Sequence, residues 1–249
     1  MERIQIKLQK NKKIYFAGDF HLGIPNEESS KTREDNIINW LDSIEDHAQD
    51  LFLMGDVFDF WFEYKHVVPK YYFNFLSKIF KMIENGINVH FFKGNHDMWT
   101  IDYFEKIGLK VYENHQSFQL DKTRILVGHG DGLGEGDRGY KIMKSIFKNN
   151  ISQYLFRILH PDIGMKLGMS LSKSNKKKKD ETKKNNDRIY NFCKQYDLEN
   201  NNHAYIFGHS HRESKIPISE SSTYYNTGEW INSSSYLVYQ SGKFDLKIY

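Results

Sequence analysis

Five short apolar segments that each stop at a glycine are the feature that most constrains this fold. They are Lys13–Gly18, Asp50–Gly55, Asn88–Gly94, Arg124–Gly128 and Ala204–Gly208. Apolar runs of this length, separated by helical patterns, are typical of strands that are buried on both faces of an α/β sheet. The sequence therefore predicts an α/β fold whose main strands all end in the same way.

Helical periodicity fills the spaces between the first three strands. Thr32–Ala48 and Tyr71–Ile83 each place apolar residues on one face of a helix. In the second helix the predicted apolar stripe consists of Phe75, Leu76, Ile79, Phe80 and Ile83. The C-terminal segment Thr223–Tyr249 returns to β-type residues, with Ser241-Gly242 as the predicted hairpin turn.

The segment from about residue 137 to 198 interrupts this alternation and has the pattern of helices. An apolar face with interspersed Lys and Arg runs from Ile142 to Leu159, and Pro161 is expected to end that helix. The lysine-rich stretch Lys173–Lys184 follows. We interpret the 249 residues as one domain that carries a helical insertion, which we call the lid.

The composition narrows the classes of partner. A net charge of only +3 does not favour a protein that coats a polyanion, so no nucleic-acid partner is expected. The single cysteine, Cys193, excludes an internal disulfide and favours a reducing compartment. The sequence shows neither a signal peptide nor a run of about 20 apolar residues that could cross a bilayer. We expect a cytoplasmic or membrane-surface protein without an obligate protein partner.

Metal-ligating residue types follow each of the five apolar segments. The motifs are Gly18-Asp19-Phe20-His21, Gly55-Asp56-Val57-Phe58-Asp59, Gly94-Asn95-His96-Asp97, Gly128-His129-Gly130-Asp131 and Gly208-His209-Ser210-His211. A single Gly-Asp after a strand is usually a turn or a helix cap. The set of five is different, because strand ends on one edge of a sheet place their side chains together. Asp, Asn and His favour Mn²⁺, Fe²⁺ or Zn²⁺ over calcium, and the set is large enough for two ions that share a carboxylate.

The five motifs resemble those of the calcineurin-like metallophosphoesterase superfamily over nearly the whole sheet-forming part of the chain. That resemblance implies a four-layer αββα sandwich of two mixed sheets with an inserted helical lid. It implies one metal held by Asp19, His21, Asp56 and His211. It implies a second metal held by Asp56, Asn95, His129 and His209, with Asp56 as the bridge and Mn²⁺ as the favoured ion.

The sequence leaves more than one role open for most of the remaining polar residues of the motifs. His96 is the candidate to stabilise the reacting phosphorus or to protonate the leaving oxygen, with a supporting role as the alternative. Asp97 is predicted to be a catalytic residue together with His96. Its expected role is to orient a neighbouring histidine. Asp59 and Asp131 either support metal ligands or cap helices.

Further motifs resemble the UDP-2,3-diacylglucosamine pyrophosphatase branch of that superfamily, which acts in lipid A biosynthesis. They are Gly55–Trp61, Gly94–Trp99, His129–Leu133, Asp137-Arg138-Gly139-Tyr140, the insertion Phe156–Ser174 and Asn226–Ile231. The branch implies water attack on the α-phosphorus of a lipid-linked UDP-sugar, giving UMP and the acylated sugar 1-phosphate. It implies substrate contacts from Asn95, His96, Asp137, Tyr140, Ser172, Lys176 and His209.

One residue departs from the branch pattern, because His96 stands where the best-known members have arginine. Arginine and histidine bind phosphate differently, so this departure bears on the exact substrate. A lid that mixes apolar and basic residues suits an amphiphilic ligand and predicts a peripheral position on the cytoplasmic face of the inner membrane. Alternatively, the lid is an ordinary amphipathic cap that packs on the sheet. The alternative for the lysine-rich stretch is that it forms a solvated loop.

Three other functions share some of these features. A metallophosphoesterase for a soluble nucleotide or another phosphodiester would have the same ligands and differ only beneath the lid. A nuclease would need a continuous basic groove with stacking aromatic residues, whereas the lysines here form one cluster. A non-catalytic scaffold would be expected to have lost ligands, and none is missing.

Overall fold

The computed structural model describes residues 3–174 and 179–249, without the side chains of residues 173, 174, 179 and 180. In this part of the chain twelve strands form two sheets. The strands are β1 Ile4–Ile6, β2 Lys13–Ala17, β3 Ala48–Leu53, β4 Asn88–Phe92, β5 Lys110–Tyr112, β6 Gln116–Leu120, β7 Thr123–Gly128, β8 Ala204–Phe207, β9 Ser214–Pro217, β10 Thr223–Asn226, β11 Ser235–Gln240 and β12 Lys243–Ile248. The α-helices are α1 Glu27–Ile44, α2 Phe73–Glu84, α3 Tyr103–Lys106, α4 Arg138–Lys148, α5 Asn150–Ile158, α6 Pro161–Ser174 and α7 Lys179–Asn200.

Both sheets are mixed and contain six strands each. The first has the order β1-β6-β7-β8-β10-β9, and the second has the order β12-β11-β2-β3-β4-β5. The strands that lead into the polar motifs run parallel to one another within each sheet: β2, β3 and β4 in one sheet, β7 and β8 in the other. The expected sandwich of two mixed sheets is confirmed.

Alternating side chains on the central strands build two of the apolar layers. Ile14 and Phe16 of β2 point between the sheets, whereas Tyr15 and Ala17 point to the outer face. The outer layer of that sheet is covered by α1 and α2, and α7 covers the other sheet through residues that include Ile189 and Cys193. Because every strand in the centre is buried on both faces, its sequence is apolar throughout rather than alternating.

The five strands predicted from the sequence are all present, while the helix boundaries differ from the prediction. The first helix begins at Glu27 rather than Thr32, because Asn26 caps it by accepting a hydrogen bond from the Ser29 backbone N–H at 2.9 Å. It ends at Ile44, and Ala48 already belongs to β3. In α2 the prediction for Phe80 was wrong, since this side chain is 44% exposed.

The apolar segment of the lid from Ile142 to Leu159 is divided between two helices, α4 and α5, and does not form one long helix. The chain turns between α4 and α5 at Asn149, whose side chain caps α5 through the backbone N–H groups of Ile151 and Ser152. As predicted, a helix ends just before Pro161, because α5 ends at Ile158, and Pro161 is itself the first residue of the next helix, α6. Proline is favoured there because its fixed φ and missing N–H cost nothing in the first turn.

The lid packs on an aromatic cluster at the end of the sandwich. The cluster consists of Phe60, Phe62, Tyr64 and Trp99, and the lid contributes Phe147, Phe156, Met165 and Met169 to it. The Trp99 indole N–H donates to the Phe147 carbonyl at 2.8 Å, which fixes the position of α4. In the described part of the chain no helix combines the length and the apolar character needed to cross a membrane.

The C-terminal strands form the predicted hairpin. β11 and β12 pair antiparallel from Ser235–Ile248 to Gln240–Lys243, and Ser241 and Gly242 form the turn with φ of 51° and 80°. Positive φ at both central residues matches the right-handed twist of the flanking strands.

Candidate metal centre

The five polar motifs converge on one site although their strands belong to two sheets. β2, β3 and β4 deliver the first three motifs from one sheet, and β7 and β8 deliver the other two from the opposite sheet. The prediction that all five motifs lie on the edge of one sheet was wrong. The two sheets pack face to face, so the carboxyl ends of their parallel strands meet across the sandwich.

The first group of side chains consists of Asp19, His21, Asp56 and His211. One ligand atom from each lies within 4.8 Å of the others. His21 Nε2 lies 3.0 Å from His211 Nε2, and His211 Nε2 lies 3.1 Å from Asp19 Oδ1. These are the four residues that the family resemblance implies for one metal.

The second group shares Asp56 with the first. Ligand atoms of Asp56, His129 and His209 lie within 4.8 Å of one another. His129 Nε2 is 3.3 Å from Asp56 Oδ2 and 3.3 Å from Asn95 Oδ1. Asp56 therefore occupies the position that a bridging carboxylate would need between two ions.

The chemistry of these donors fits two divalent cations. Asp19 Oδ1 and Asp56 Oδ2 are buried, and neither has a hydrogen-bond partner among the described residues. A buried carboxylate oxygen is costly unless positive charge lies beside it, and a bound cation supplies that charge. Imidazole and carboxylate groups together are the donor set for borderline metals such as Mn²⁺ and Zn²⁺.

The backbone is held in an uncommon conformation at five of the candidate ligands. Asp19, His21, Asp56, His209 and His211 all have φ between 46° and 64°. Non-glycine residues adopt this left-handed region at a cost, and such residues cluster at functional sites. Here the tight turns after the strands direct each side chain toward the space between the sheets.

Polar contacts behind the ligands fix the orientation of their rings. His21 Nδ1 lies 3.2 Å from Asp59 Oδ1, and His129 Nδ1 lies 2.8 Å from the Met54 carbonyl oxygen. Each ring therefore presents Nε2 to the centre. Arg33 on α1, which the sequence reasoning missed, donates to the His21 carbonyl at 2.6 Å.

Asp97 does not orient a histidine among the described residues, so that prediction was wrong. Its carboxylate accepts hydrogen bonds from the backbone N–H groups of Gly94 at 2.7 Å, Val57 at 2.8 Å and Asp56 at 3.3 Å. β3 and β4 are neighbours, so the loops that follow them are close enough for one carboxylate to join both. Asp97 thus holds the Asp56 loop, and burial together with the charge of Asp56 raises its pKa to about 7.

Asp59 and Asp131 support other side chains rather than capping helices. Asp59 contacts His21, as described above, and also the Ser172 hydroxyl of α6. Asp131 accepts from the Tyr140 hydroxyl at 2.6 Å and forms an ion pair with Lys144 at 2.5 Å. Both carboxylates therefore connect the lid to the loops that carry the candidate ligands.

The carboxylates and imidazoles of the cluster shift one another's pKa values. Burial acts to raise the pKa of Asp19 and of Asp56, but the surrounding imidazoles outweigh it and keep both pKa values below the usual range. Burial acts to lower the pKa of His21 and of His129, but the neighbouring carboxylates raise these pKa values to about 9 and about 10. The site thus attracts positive charge, whether it is carried by protons or by metal ions.

A cavity of about 290 Å³ lies between this centre and the lid. It includes six of the seven residues expected to contact substrate: Asn95, His96, Asp137, Tyr140, Ser172 and His209. The seventh, Lys176, lies outside the described residues. The sequence reasoning missed Met98, Met143, Phe147 and Leu171, which also line the cavity. The folded lid brings Met143, Phe147 and Leu171 to the cavity, and the loop after β4 contributes Met98.

His96 stands at the junction of the metal centre and the cavity. Its Nδ1 lies 2.8 Å from the Asp59 carbonyl oxygen, and its ring centre lies 4.8 Å from that of His21. Nδ1–H is therefore the donor to that carbonyl, which leaves Nε2 as the nitrogen able to meet a ligand. Burial lowers the pKa of this imidazole.

Comparison with known proteins agrees with this geometry. The model of the calcineurin-like phosphoesterase family matches residues 12–213. The chain belongs to that family. One relative, the UDP-2,3-diacylglucosamine hydrolase of Porphyromonas gingivalis, is 32% identical over 91% of this chain and 94% of its own length. Another of the same name, from Psychromonas ingrahamii, is 23% identical over 94% and 96%.

Among solved structures, vacuolar protein sorting 29 from Cryptosporidium parvum aligns with a TM-score of 0.45 and 12% identity. The alignment covers 96% of each chain.

The match to the family model over residues 12–213 makes this chain a metallophosphoesterase, and such enzymes use divalent metals.

The first prediction concerns Gly94, which the Asp56 loop approaches closely. A methyl group there would overlap the Asp56 carboxylate and backbone nitrogen. We expect Gly94→Ala to weaken Mn²⁺ binding by on the order of 10–100-fold, measured by calorimetric titration of the metal-free protein. The control is Gly139→Ala, since a methyl group at Gly139 meets nothing within 4 Å. Unchanged Mn²⁺ binding in Gly94→Ala would show that the position of the Asp56 carboxylate does not matter for metal binding.

The second prediction follows from the raised pKa values of His21 and His129. At pH 7.5 both rings are protonated in the metal-free protein, because their pKa values are about 9 and about 10. Metal ligation requires neutral rings, so Mn²⁺ binding should release about two protons, and its affinity should fall as the pH is lowered. Calorimetry in buffers of different ionisation enthalpy measures this number. In His129→Gln it should drop by about one, and release of no protons by the wild type would contradict the assignment.

Proposed function

We propose that this chain hydrolyses the pyrophosphate of UDP-2,3-diacylglucosamine by water attack on the α-phosphorus, releasing UMP and 2,3-diacylglucosamine 1-phosphate. The main support is a cavity that is polar where it meets the candidate metal centre and apolar where the lid bounds it. Asn95, His96 and His209 provide the polar side, and Met143 and Leu171 of the lid contribute to the apolar side. The names of the relatives from P. gingivalis and P. ingrahamii support the same substrate.

In this proposal the seven candidate ligands hold two divalent cations, of which Mn²⁺ is the favoured species. They are Asp19, His21, Asp56, Asn95, His129, His209 and His211. Two bound cations would supply Lewis-acid activation of water and of the phosphoryl oxygens. The residues of the chain hold the metal centre together. Asp56 is shared by its two halves, and the buried carboxylates provide the negative charge that balances the cations.

His96 is proposed to act on the phosphoryl group through Nε2. Its Nδ1–H is held by the Asp59 carbonyl, so the ring has a fixed direction. Burial keeps the ring neutral in the absence of substrate, and an arriving diphosphate anion favours its protonation. The protonated ring can then stabilise the phosphoryl oxygens or give its proton to the leaving oxygen. Histidine here takes the place of the arginine in the best-known branch members.

The substrate contacts further from the centre involve α4 and α6. Tyr140 and Asp137 line the cavity at the start of α4, and Asp137 pairs with Arg188 of α7 at 3.0 Å. Ser172 lines it from α6. We propose that these groups bind the sugar and its phosphate, while Met143, Phe147 and Leu171 contact the beginning of an acyl chain. The rest of the acyl chains would extend beyond a cavity of about 290 Å³.

The outer face of the lid supports a position at a membrane surface. Apart from the cavity-lining Leu171, eight large apolar side chains of α4, α5 and α6 are between 45% and 69% exposed: Ile142, Ile146, Ile151, Tyr154, Leu155, Ile158, Ile163 and Leu167. Residues 138–172 also contain six basic residues and one acidic residue. An apolar surface of this extent beside basic residues is typical of proteins that bind anionic lipid. The cytoplasmic face of the inner membrane is the proposed location.

The third prediction tests the substrate. With Mn²⁺ present, the wild-type protein should convert UDP-2,3-diacylglucosamine to UMP, and Asp56→Ala should lose activity because both halves of the centre share this carboxylate. The measurement is UMP formation by chromatography, with Asp46→Ala as a control at an exposed position. Equal rates on UDP-N-acetylglucosamine would contradict the lipid assignment and favour a soluble nucleotide substrate.

The fourth prediction tests the membrane face of the lid. We expect Ile151→Ser/Leu155→Ser/Ile158→Ser to weaken binding to vesicles of phosphatidylglycerol and phosphatidylethanolamine by on the order of 100-fold, at about 1 kcal/mol for each partly inserted side chain. Co-sedimentation measures the partitioning. Leu198→Ser is the control, because Leu198 is 82% exposed and lies on α7 outside this face. Equal partitioning of the triple variant and the wild type would contradict the proposed membrane face.

A further inference from the structure

One serine of the lid contacts side chains that lie behind the metal centre. Ser172 lies near the C-terminal end of α6 and is half-buried. Its hydroxyl hydrogen-bonds to Asp59 Oδ2 and lies 3.1 Å from His96 Nδ1. A residue that only bound substrate would direct its hydroxyl into the cavity. The Ser172 hydroxyl instead contacts two residues that support the centre.

Asp59 connects this hydroxyl to a candidate metal ligand. Its other carboxylate oxygen, Oδ1, lies 3.2 Å from His21 Nδ1, and the residue is only 2% exposed. The backbone carbonyl of the same residue lies 2.8 Å from His96 Nδ1. One buried aspartate thus contacts a metal-facing imidazole, a cavity-facing imidazole and the lid.

The donors and acceptors of this group fit a single arrangement of protons. The Ser172 O–H donates to Asp59 Oδ2, and the His21 Nδ1–H donates to Asp59 Oδ1. The His96 Nδ1–H donates to the Asp59 carbonyl, with the Ser172 oxygen as a second acceptor. This arrangement leaves Nε2 of His21 directed to the centre and Nε2 of His96 available to a ligand. Removing the hydroxyl would leave a buried carboxylate oxygen with one partner fewer.

We propose that Ser172 is a positioning residue that couples the seating of the lid to the metal centre through Asp59. The coupling rests on the proposed function, because the lid is there the part that recognises the acyl chains. When α6 is seated, Asp59 is held at both oxygens and keeps His21 in its ligating orientation. When α6 is displaced, Asp59 loses a partner and His21 is held less firmly, so a lid that lacks its lipid leaves an incomplete centre.

The test compares Ser172→Ala with the wild type in two measurements. One is calorimetric Mn²⁺ titration of the metal-free protein, and the other is hydrolysis of bis(p-nitrophenyl) phosphate, a small substrate that needs no lipid site. We expect Ser172→Ala to weaken Mn²⁺ binding and to lower kcat on this diester, each by on the order of 10-fold. Ser172→Thr should restore both, because it keeps the hydroxyl. Ser170→Ala is the matched control, since Ser170 lies on the same helix and is exposed.

A double-mutant cycle with Asp59→Asn adds a second criterion. If Ser172 acts through Asp59, Ser172→Ala should change Mn²⁺ affinity by less than about twofold in the Asp59→Asn background. The full 10-fold loss in that background would overturn the proposed route.

Two results would overturn the proposal as a whole. Unchanged Mn²⁺ affinity in Ser172→Ala would show that Ser172 does not couple the lid to the centre. A raised KM confined to UDP-2,3-diacylglucosamine, with normal Mn²⁺ binding and normal diester hydrolysis, would make Ser172 a substrate contact only. Absence of UMP formation by the wild type would instead contradict the proposed substrate, while the metal titration would still decide the role of Ser172.

Discussion

Two carboxylates, those of Asp19 and Asp56, lie fully buried at the ends of adjacent parallel strands. Each has an oxygen without a hydrogen-bond partner among the described residues, and the nearby imidazoles belong to His21, His129 and His211. Negative charge of this kind is stable in a protein interior only beside protons or metal ions. The two sheets, the left-handed turns and the supporting hydrogen bonds of the site all serve to place positive charge here.

The groups that surround this charge belong either to the sandwich or to the lid. The loops after the five strands are held by groups such as Asp97 and Arg33, which belong to the sandwich itself. The lid belongs to the inserted helices and reaches the centre through a few polar contacts, of which Ser172 and Tyr140 are two. The candidate metal centre therefore depends on the sandwich, whereas in the proposed function the lid provides the contacts that select the substrate.

Much of the site could be read from the sequence because each candidate ligand follows an apolar run that ends at glycine. Supporting residues were harder to assign, since their partners come from distant segments. Asp97 lies beside Asn95 and looks like a ligand or an orienting group, yet it holds backbone N–H groups of the neighbouring loop. Arg33 gives no local signal at all, because its role depends on how α1 crosses the turn after β2.

The sequence by itself determined the five strands that lead into the motifs, the residue types at their ends and the family, because burial on both faces demands unbroken apolar runs and metal binding demands Asp, Asn and His. The tertiary structure decided which sheet each motif comes from, and which apolar side chains of the lid pack against the sandwich and which are exposed. Local patterns contain no information on how two sheets face each other or on which side of a helix meets solvent. Those features follow from packing across long sequence distances, where Asp59 meets Ser172 and Asp56 meets His129.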